Sequence, residues 1–307
     1  MNKDLLQFLA CPICHKPFLQ KQNLLLCKKC QIFLEEKNGI ILNISTIPED
    51  LKLSLEKWDL QYKQSLQKRA YLKNKLAYDR IYLKDTISQL EEEKSLNRSV
   101  YLEIGCGEFF VGQAVARQCN LIIGIDISEN ALKLAKIMLD KQHIHNYLLI
   151  QGDIRRIPLK NSCVDLIYGG GVIEHFKDTF SCLSELYRVL KIGGVSFNTV
   201  PYLNLGSLTY RQVWGNIPNI PIIKQIAEFL HIKLLKGRHM KFGYEMSFLK
   251  SSLKNLHKKV GFRTTKVDQF KVTILFDFLP SLFRPFFIKL ANSSPLFWPM
   301  VKVVAKK

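Results

Sequence analysis

Val100-Tyr-Leu-Glu-Ile-Gly-Cys-Gly-Glu-Phe-Phe-Val-Gly112 decides the fold. Its first five residues are a short apolar run that predicts a strand. Gly105 and Gly107 predict a turn where the backbone passes close to another group, and Val111 and Val115 open a helical pattern. Strand, glycine turn and helix together build a nucleotide pocket at the carboxyl end of an α/β sheet. A dinucleotide fingerprint, G-x-G-x-x-G, would place its third glycine at position 110, where the chain has Phe110. A ring there obstructs approach of a pyrophosphate to the helix N-terminus. The competing pattern, acid-x-Gly-x-Gly, fits Glu103-Ile-Gly105-Cys-Gly107.

Downstream, apolar runs alternate with helical patterns, as in an α/β domain. Leu121-Ile-Ile-Gly-Ile-Asp126 ends in a carboxylate 21 residues after Gly105, the spacing at which an acid closing the second strand accepts both ribose hydroxyls. An ionised carboxylate offers two acceptor oxygens to those two donors. A helix is expected over 129–141, a third strand at Leu148–Asp153 and a fourth at Cys163–Tyr168, running into Gly169–Phe176. Further expectations are a helix at Ser181–Leu190, a fifth strand at Val195–Val200, a helix at Phe248–Val260, a sixth strand at Thr265–Ile274 and a last at Met300–Ala305.

Glu103-Ile-Gly105-Cys-Gly107 resembles motif I of class I S-adenosylmethionine-dependent methyltransferases, many of which carry a further glycine where this chain has Phe109. Gly152-Asp153-Ile154 resembles the adenine-binding site of that family. Tyr187-Arg-Val-Leu-Lys-Ile-Gly-Gly194 resembles its turn before the fifth strand, and Gly261-Phe262 the dipeptide before the sixth. The resemblance implies an α/β fold with a Rossmann-like sheet of seven strands, the last antiparallel. It implies S-adenosylmethionine as cofactor, contacted by Glu103, Gly105, Cys106, Gly107, Asp126, Ile127, Asp153, Ile154 and Gly170. Methyl transfer to a hydroxyl or amine benefits from a general base whose pKa sits near the working pH, which favours histidine. His175, just after the fourth strand, is the first candidate and His239 the second. Helix-start packing is the competing reading of His175, and Glu174 either contacts the cofactor or caps the helix.

At the N-terminus, Cys11-Pro-Ile-Cys14 and Cys27-Lys-Lys-Cys30 stand twelve residues apart. Two such knuckles can place four thiolates around Zn²⁺, so Cys11, Cys14, Cys27 and Cys30 are the expected ligands. A closed Cys₄ set leaves no open position, which makes the metal structural. Phe18, Leu24 and Leu26 are too few for a core, so the ion would stabilise this piece, on an apparent scale of roughly 10–16 kcal/mol for small zinc modules. The opening resembles zinc-ribbon modules found in some bacterial methyltransferases and in a small partner subunit of RNA and protein methyltransferases. His15 reads as a surface residue, and Cys106, Cys119, Cys163 and Cys182 as packing residues. The expected organisation is a zinc ribbon at 1–48, a helical connector or lid at 49–98, and the methyltransferase domain at 99–307. In the connector, Trp58 and Tyr62 lie one turn apart and either cover the pocket or bury against the sheet.

The 307 residues are 47% hydrophobic and 23% charged, which describes a globular protein and not a disordered one. The net charge is +19, and from Pro201 onward 18 Lys/Arg face four Asp/Glu. Insertions at about 201–247 and 275–297 are both apolar-aromatic and basic. That composition suits a lipid-linked acceptor or an anionic bilayer surface. It also suits stacked RNA bases, with the ribbon holding RNA, or a hydrophobic lid over a soluble small molecule. The leading expectation is O-methylation of a small, lipid- or glycan-linked acceptor. The rivals are an RNA base methyltransferase and a non-catalytic cofactor-binding protein. Met1–Ala10 carries Lys3, Asp4 and Gln7 and reads as no signal peptide, so a cytoplasmic location is expected, with peripheral contact at the inner membrane surface.

Overall fold

A computed structural model describes residues 3–43, 48–68, 83–271 and 279–307. The part of the connector at 69–82, the sixth strand's expected reach to Ile274 and the start of the second insertion at 275–278 lie outside the described residues. The ribbon contributes four strands: β1 (Leu19–Lys21), β2 (Leu24–Cys27), β3 (Ile32–Lys37) and β4 (Ile40–Asn43). The helix Lys52–Lys68 follows, and after it the helix Lys84–Glu93. Five strands follow, with helices in every gap but the one between the third and fourth: β5 (Val100–Ile104), β6 (Leu121–Asp126), β7 (Tyr147–Gln151), β8 (Val164–Gly170) and β9 (Leu190–Pro201). The short strands β10 (Ile217–Pro218) and β11 (Met246–Ser247) pair within the first insertion. The chain closes on β12 (Thr264–Phe270) and β13 (Met300–Lys306).

Seven strands run in the order β7-β6-β5-β8-β9-β13-β12, with β13 antiparallel between β9 and β12. This is the Rossmann-like sheet expected of the sequence. Its central strands β5 and β6 are buried on both faces because helices cover both. Leu102 and Ile104 pack into one core cluster while Tyr101 packs into the other, and Ile123 and Ile122 divide in the same way. The helix after β6 spans Glu129–Lys141, as the periodicity predicts, and Ser128 caps it by accepting from the Ala131 N–H. The expected turn at 191–194 is absorbed into β9, which begins at Leu190.

The strand total is the main departure. Among the described residues the sheet has eleven strands, because the ribbon is not a separate layer. β4 lies parallel to β7, with Ile40 opposite Leu149 and Ile41 opposite Ile150. The physical reason is an edge: without β4, the outer rim of β7 would present unpaired backbone groups. Leu9, Leu25, Leu34 and Ile41 of the ribbon belong to the same core cluster as Leu102 and Ile123.

The insertion between β9 and the helix Lys250–Val260 holds the helix Pro221–Glu228, which continues with wider turns through Phe229–Leu234. A buried ion pair holds the insertion together, and its arginine also reaches the carbonyl just before β13. Arg211, 2% exposed, donates from Nη2 to Glu245 Oε1 at 2.9 Å and from Nη1 to the Pro299 carbonyl at 3.1 Å. Asn216 Nδ2 donates to Glu245 Oε2 at 3.1 Å. No helix among the described residues is long and apolar enough to cross a membrane. Removing one partner of a buried pair leaves an uncompensated charge, so Glu245→Ala should lower unfolding free energy by about 3–5 kcal/mol. A fall in urea midpoint of that size checks it.

Candidate active site

The turn after β5 is built from left-handed residues. Gly105 and Gly107 have φ of 54° and 52°, and Phe109 has φ of 62°. Glycine is required at the first two for a second reason. A Cβ on Gly105 would lie 2.6 Å from Val172 Cγ2, and one on Gly107 would lie 2.7 Å from the Tyr62 hydroxyl. Phe109 adopts the same backbone region with a side chain, at a steric cost. Its ring is fully buried, and a Cβ on Gly112 would come within 2.1 Å of it. Burial of the ring offsets the strain, and Gly112 is small because the ring lies on it. This explains the departure from the family pattern at Phe109.

Two carboxylates hold this turn. Glu103 Oε2 accepts from the Gly112 N–H at 2.8 Å and from the Tyr101 hydroxyl at 3.0 Å. Asp126 Oδ2 accepts from the Gly107 N–H and Oδ1 from the Ser128 N–H, both at 2.8 Å. Burial pushes Glu103 up to about 8 and Asp126 up to about 6, against the pull of these hydrogen bonds.

A cleft opens at the carboxyl ends of β5, β6 and β8. Of the residues expected from the sequence, Gly105, Asp126, Ile127, Ile154, Gly170 and His175 line it. Glu103, Cys106 and Gly107 are not in that lining: Glu103 supports the turn from behind, and Cys106 is packed in the core. Asp153 points elsewhere. Its carboxylate is held by Arg155, with Nη2 at 2.7 Å, and Arg155 Nη1 reaches Asp50 at 2.7 Å. Asp153 therefore belongs to a neighbouring groove shared with the ribbon, while Gly152 and Ile154 on either side face the cleft.

The two histidines separate. His175 Nδ1 lies 2.5 Å from the Tyr244 carbonyl, which can only accept, so Nδ1 carries the hydrogen and Nε2 is left as an acceptor. Burial lowers the His175 pKa, which keeps the ring neutral. His239 lies in the first insertion, where it meets His231 Nδ1 at 2.9 Å, and His231 Nε2 meets Gln212 Oε1 at 3.0 Å. It does not line the cleft, because these contacts hold it within the insertion.

Trp58 and Tyr62 do line the cleft, from the helix Lys52–Lys68. Their rings stack at 6.2 Å, and Trp58 stacks on Phe242 of the insertion at 5.9 Å. Asp59 ties this helix down by accepting from Ser128 Oγ at 2.6 Å and from Asn130 Nδ2 at 3.0 Å. Ser54 Oγ accepts from the Tyr244 N–H at 3.1 Å. Sequence reasoning missed Asp59 and Ser54. Their polar partners lie on distant segments, and a helical period carries no record of them.

In the ribbon, one ligand atom from each of Cys11, Cys14, Cys27 and Cys30 lies within 4.8 Å of the others, and His15 is outside that set. The two knuckles share one geometry. The N–H of His15 donates to the Cys11 carbonyl at 2.9 Å, and that of Gln31 to the Cys27 carbonyl at 2.8 Å. His15 and Gln31, each following the second cysteine of its knuckle, are both left-handed with φ of 55°. Four converging sulfurs fit a tetrahedral soft metal.

Comparison with known proteins agrees with this geometry. The family model described as "Methyltransferase domain" matches residues 102–197. A malonyl-[acyl-carrier protein] O-methyltransferase of Serratia marcescens is 27% identical over 159 residues, covering 49% of this chain and 60% of that protein. A demethylmenaquinone methyltransferase of Listeria welshimeri is 27% identical over 176 residues, covering 55% of this chain and 67% of that protein. The chain thus spans little more than half to two-thirds of the curated relatives it matches. Among solved structures, Haemonchus contortus phosphoethanolamine N-methyltransferase 2 in complex with S-adenosyl-L-methionine aligns with a TM-score of 0.53 at 17% identity, covering 73% of this chain and 52% of that chain.

The Glu103 carboxyl gives the fold a pH dependence of known sign. Its folded pKa of about 8 lies above the ordinary 4.5, so folding favours the protonated acid. That contribution is fully present below pH 4.5 and is lost as pH rises toward 8. Glu103→Gln, which keeps the acceptor without the charge, should flatten the stability profile across this window in urea titrations at successive pH values.

Proposed function

We infer that this chain, which carries the class I S-adenosylmethionine-dependent methyltransferase fold and a methyltransferase domain over residues 102–197, methylates a small, lipid-linked acceptor, with oxygen favoured as the methylated atom. The observation that carries the cofactor assignment is the cleft edge at Asp126. Its carboxylate ends β6 at the lining of the cleft, and Gly105 of the neighbouring turn lines the same cleft. Asp126 would accept from the ribose hydroxyls, with Ile127 and Ile154 against the adenine. The cofactor supplies an electrophilic methyl group on a sulfonium. The chain's own part is to position the acceptor and exclude water, for which the Trp58 and Tyr62 rings over the cleft are suited. His175, neutral and with Nε2 as the unprotonated ring nitrogen, would take the acceptor's proton. His239 is not used, since it lies outside the cleft.

An acceptor with an apolar part is supported by the cleft, and a small-molecule acceptor by the names of relatives. Leu51, Leu55, Val172 and Phe176 give the cleft an apolar lining. The relatives named above act on a carrier-protein-bound malonyl group and on demethylmenaquinone, by their names. We also propose that Cys11, Cys14, Cys27 and Cys30 hold a structural Zn²⁺.

Calorimetry with S-adenosylmethionine, followed by labelled-methyl transfer into lipid, RNA and soluble extracts, tests the function; label in the lipid pool alone is the expected result. Asp126→Asn should weaken cofactor binding by roughly tenfold or more, the scale of hydrogen bonds to a charged group. Tight binding of NAD with no response to S-adenosylmethionine would sink the reading. For the metal, elemental analysis should find one zinc per chain. A strong chelator should lower the melting temperature, and Cys14→Ser should reproduce that loss.

A further inference from the structure

The helix Pro221–Glu228 and its continuation to Leu234 face the wrong way for a helix of a globular protein. Ile222, Ile226 and Phe229 are 73%, 55% and 56% exposed, and Ile223 and Leu230 are exposed beside them. At 100° per residue these five side chains fall within roughly a third of the helical wheel. The opposite arc, turned toward the protein, carries Ala227, which is buried, and Glu228, whose Oε1 accepts from the Tyr244 hydroxyl at 2.7 Å. Apolar stripes of globular helices ordinarily face the core. Here the polar side is anchored inward and the apolar side meets solvent, and Leu234 and Leu235 extend it. Leu282 and Phe283, just before the helix Arg284–Ser293, and Phe286 and Leu290 on it are exposed as well.

Charge decides what covers this face. Lys233, Lys236, Arg238 and Lys241 are exposed along the same segment. The two acids of the insertion are used internally, Glu228 on Tyr244 and Glu245 on Arg211. A face that is apolar with only positive charge beside it repels a second copy of itself and complements anionic headgroups over an acyl layer. Its position fits as well. Phe242 stacks on Trp58, which lines the cleft, and the Tyr244 carbonyl holds His175.

We propose that the segment Pro221–Lys241 seats the protein on an anionic bilayer, with Ile222, Ile226 and Phe229 entering the acyl boundary and Lys233, Lys236 and Arg238 on the phosphates. The docking stands without the methyl-transfer reading; together they bring a membrane-dissolved acceptor to the cleft.

Vesicle flotation of the full chain tests it. The protein should float with phosphatidylglycerol-containing vesicles and stay in the soluble fraction with pure phosphatidylcholine, and added salt should weaken the binding. Ile226→Glu with Phe229→Glu should reduce partitioning by roughly tenfold or more. Lys233→Glu with Lys236→Glu should do the same on anionic vesicles. If the first pair fails to fold by circular dichroism, Ile226→Ser with Phe229→Ser replaces it. Calorimetry with S-adenosylmethionine on the same samples separates this idea from the cofactor assignment, since neither pair touches the cleft. The proposal is overturned if the wild type does not float, or if both pairs float like the wild type. It is equally overturned if the apolar pair converts a dimer to a monomer in light scattering while vesicles are ignored, or if RNA binding is what the lysine pair removes.

Discussion

Two buried acids hold the backbone on which the site is built. Glu103 and Asp126 end neighbouring parallel strands, and each receives a backbone N–H from the turn and helix between those strands. A buried carboxylate is costly unless donors surround it, and backbone amides serve because the left-handed turn points them inward. The dependence is mutual. Without the acids, the amides of Gly107 and Gly112 would be buried without these partners; without the glycines, Val172 and Tyr62 could not close over the turn. The cleft is the space left above this arrangement.

The ribbon is wired to the same region from the other side. Leu9 bridges Leu159, the Ala10 N–H donates to the Pro158 carbonyl, and the Lys160 N–H to the Phe8 carbonyl. Arg155 then joins Asp50, just past the ribbon, to Asp153. The loop carrying Gly152 and Ile154 into the cleft is thus braced by a module whose own core is small. Completion of the sheet edge by β4 serves the same end, because it orders β7, which leads into that loop.

The stack of Tyr62, Trp58 and Phe242 joins two parts of the chain at the cleft: the helix Lys52–Lys68 and the insertion beyond β9. Aromatic rings in offset contact hold such a joint without directional bonds. Asp59 and Ser54 supply the directional ones. The first insertion therefore backs the aromatic cover of the cleft through Phe242, while another of its sides carries the outward-facing apolar stripe.

The amino-acid sequence alone determined the parallel sheet, the order of its elements and the glycine turn, because strand period, helix period and positive φ each leave a local mark. Gly105 and Gly107 declare a backbone conformation that few other residues adopt, and the cysteine spacing declares four converging thiols. The helical period also placed Trp58 and Tyr62 on one face. Tertiary structure decided the rest. Asp153 carries the residue type for a base contact, yet Asp50 and Arg155, 105 residues apart in sequence, draw its carboxylate into an ion-pair network. His239 has the chemistry of a base but meets His231 in the insertion, while His175 meets a carbonyl 69 residues further on. Whether Ile222 and Phe229 face core or solvent is likewise absent from their spacing, which fixes that they share a side of the helix but not which way it turns. Those outcomes depend on which surfaces meet when the whole chain packs, and no local period encodes that.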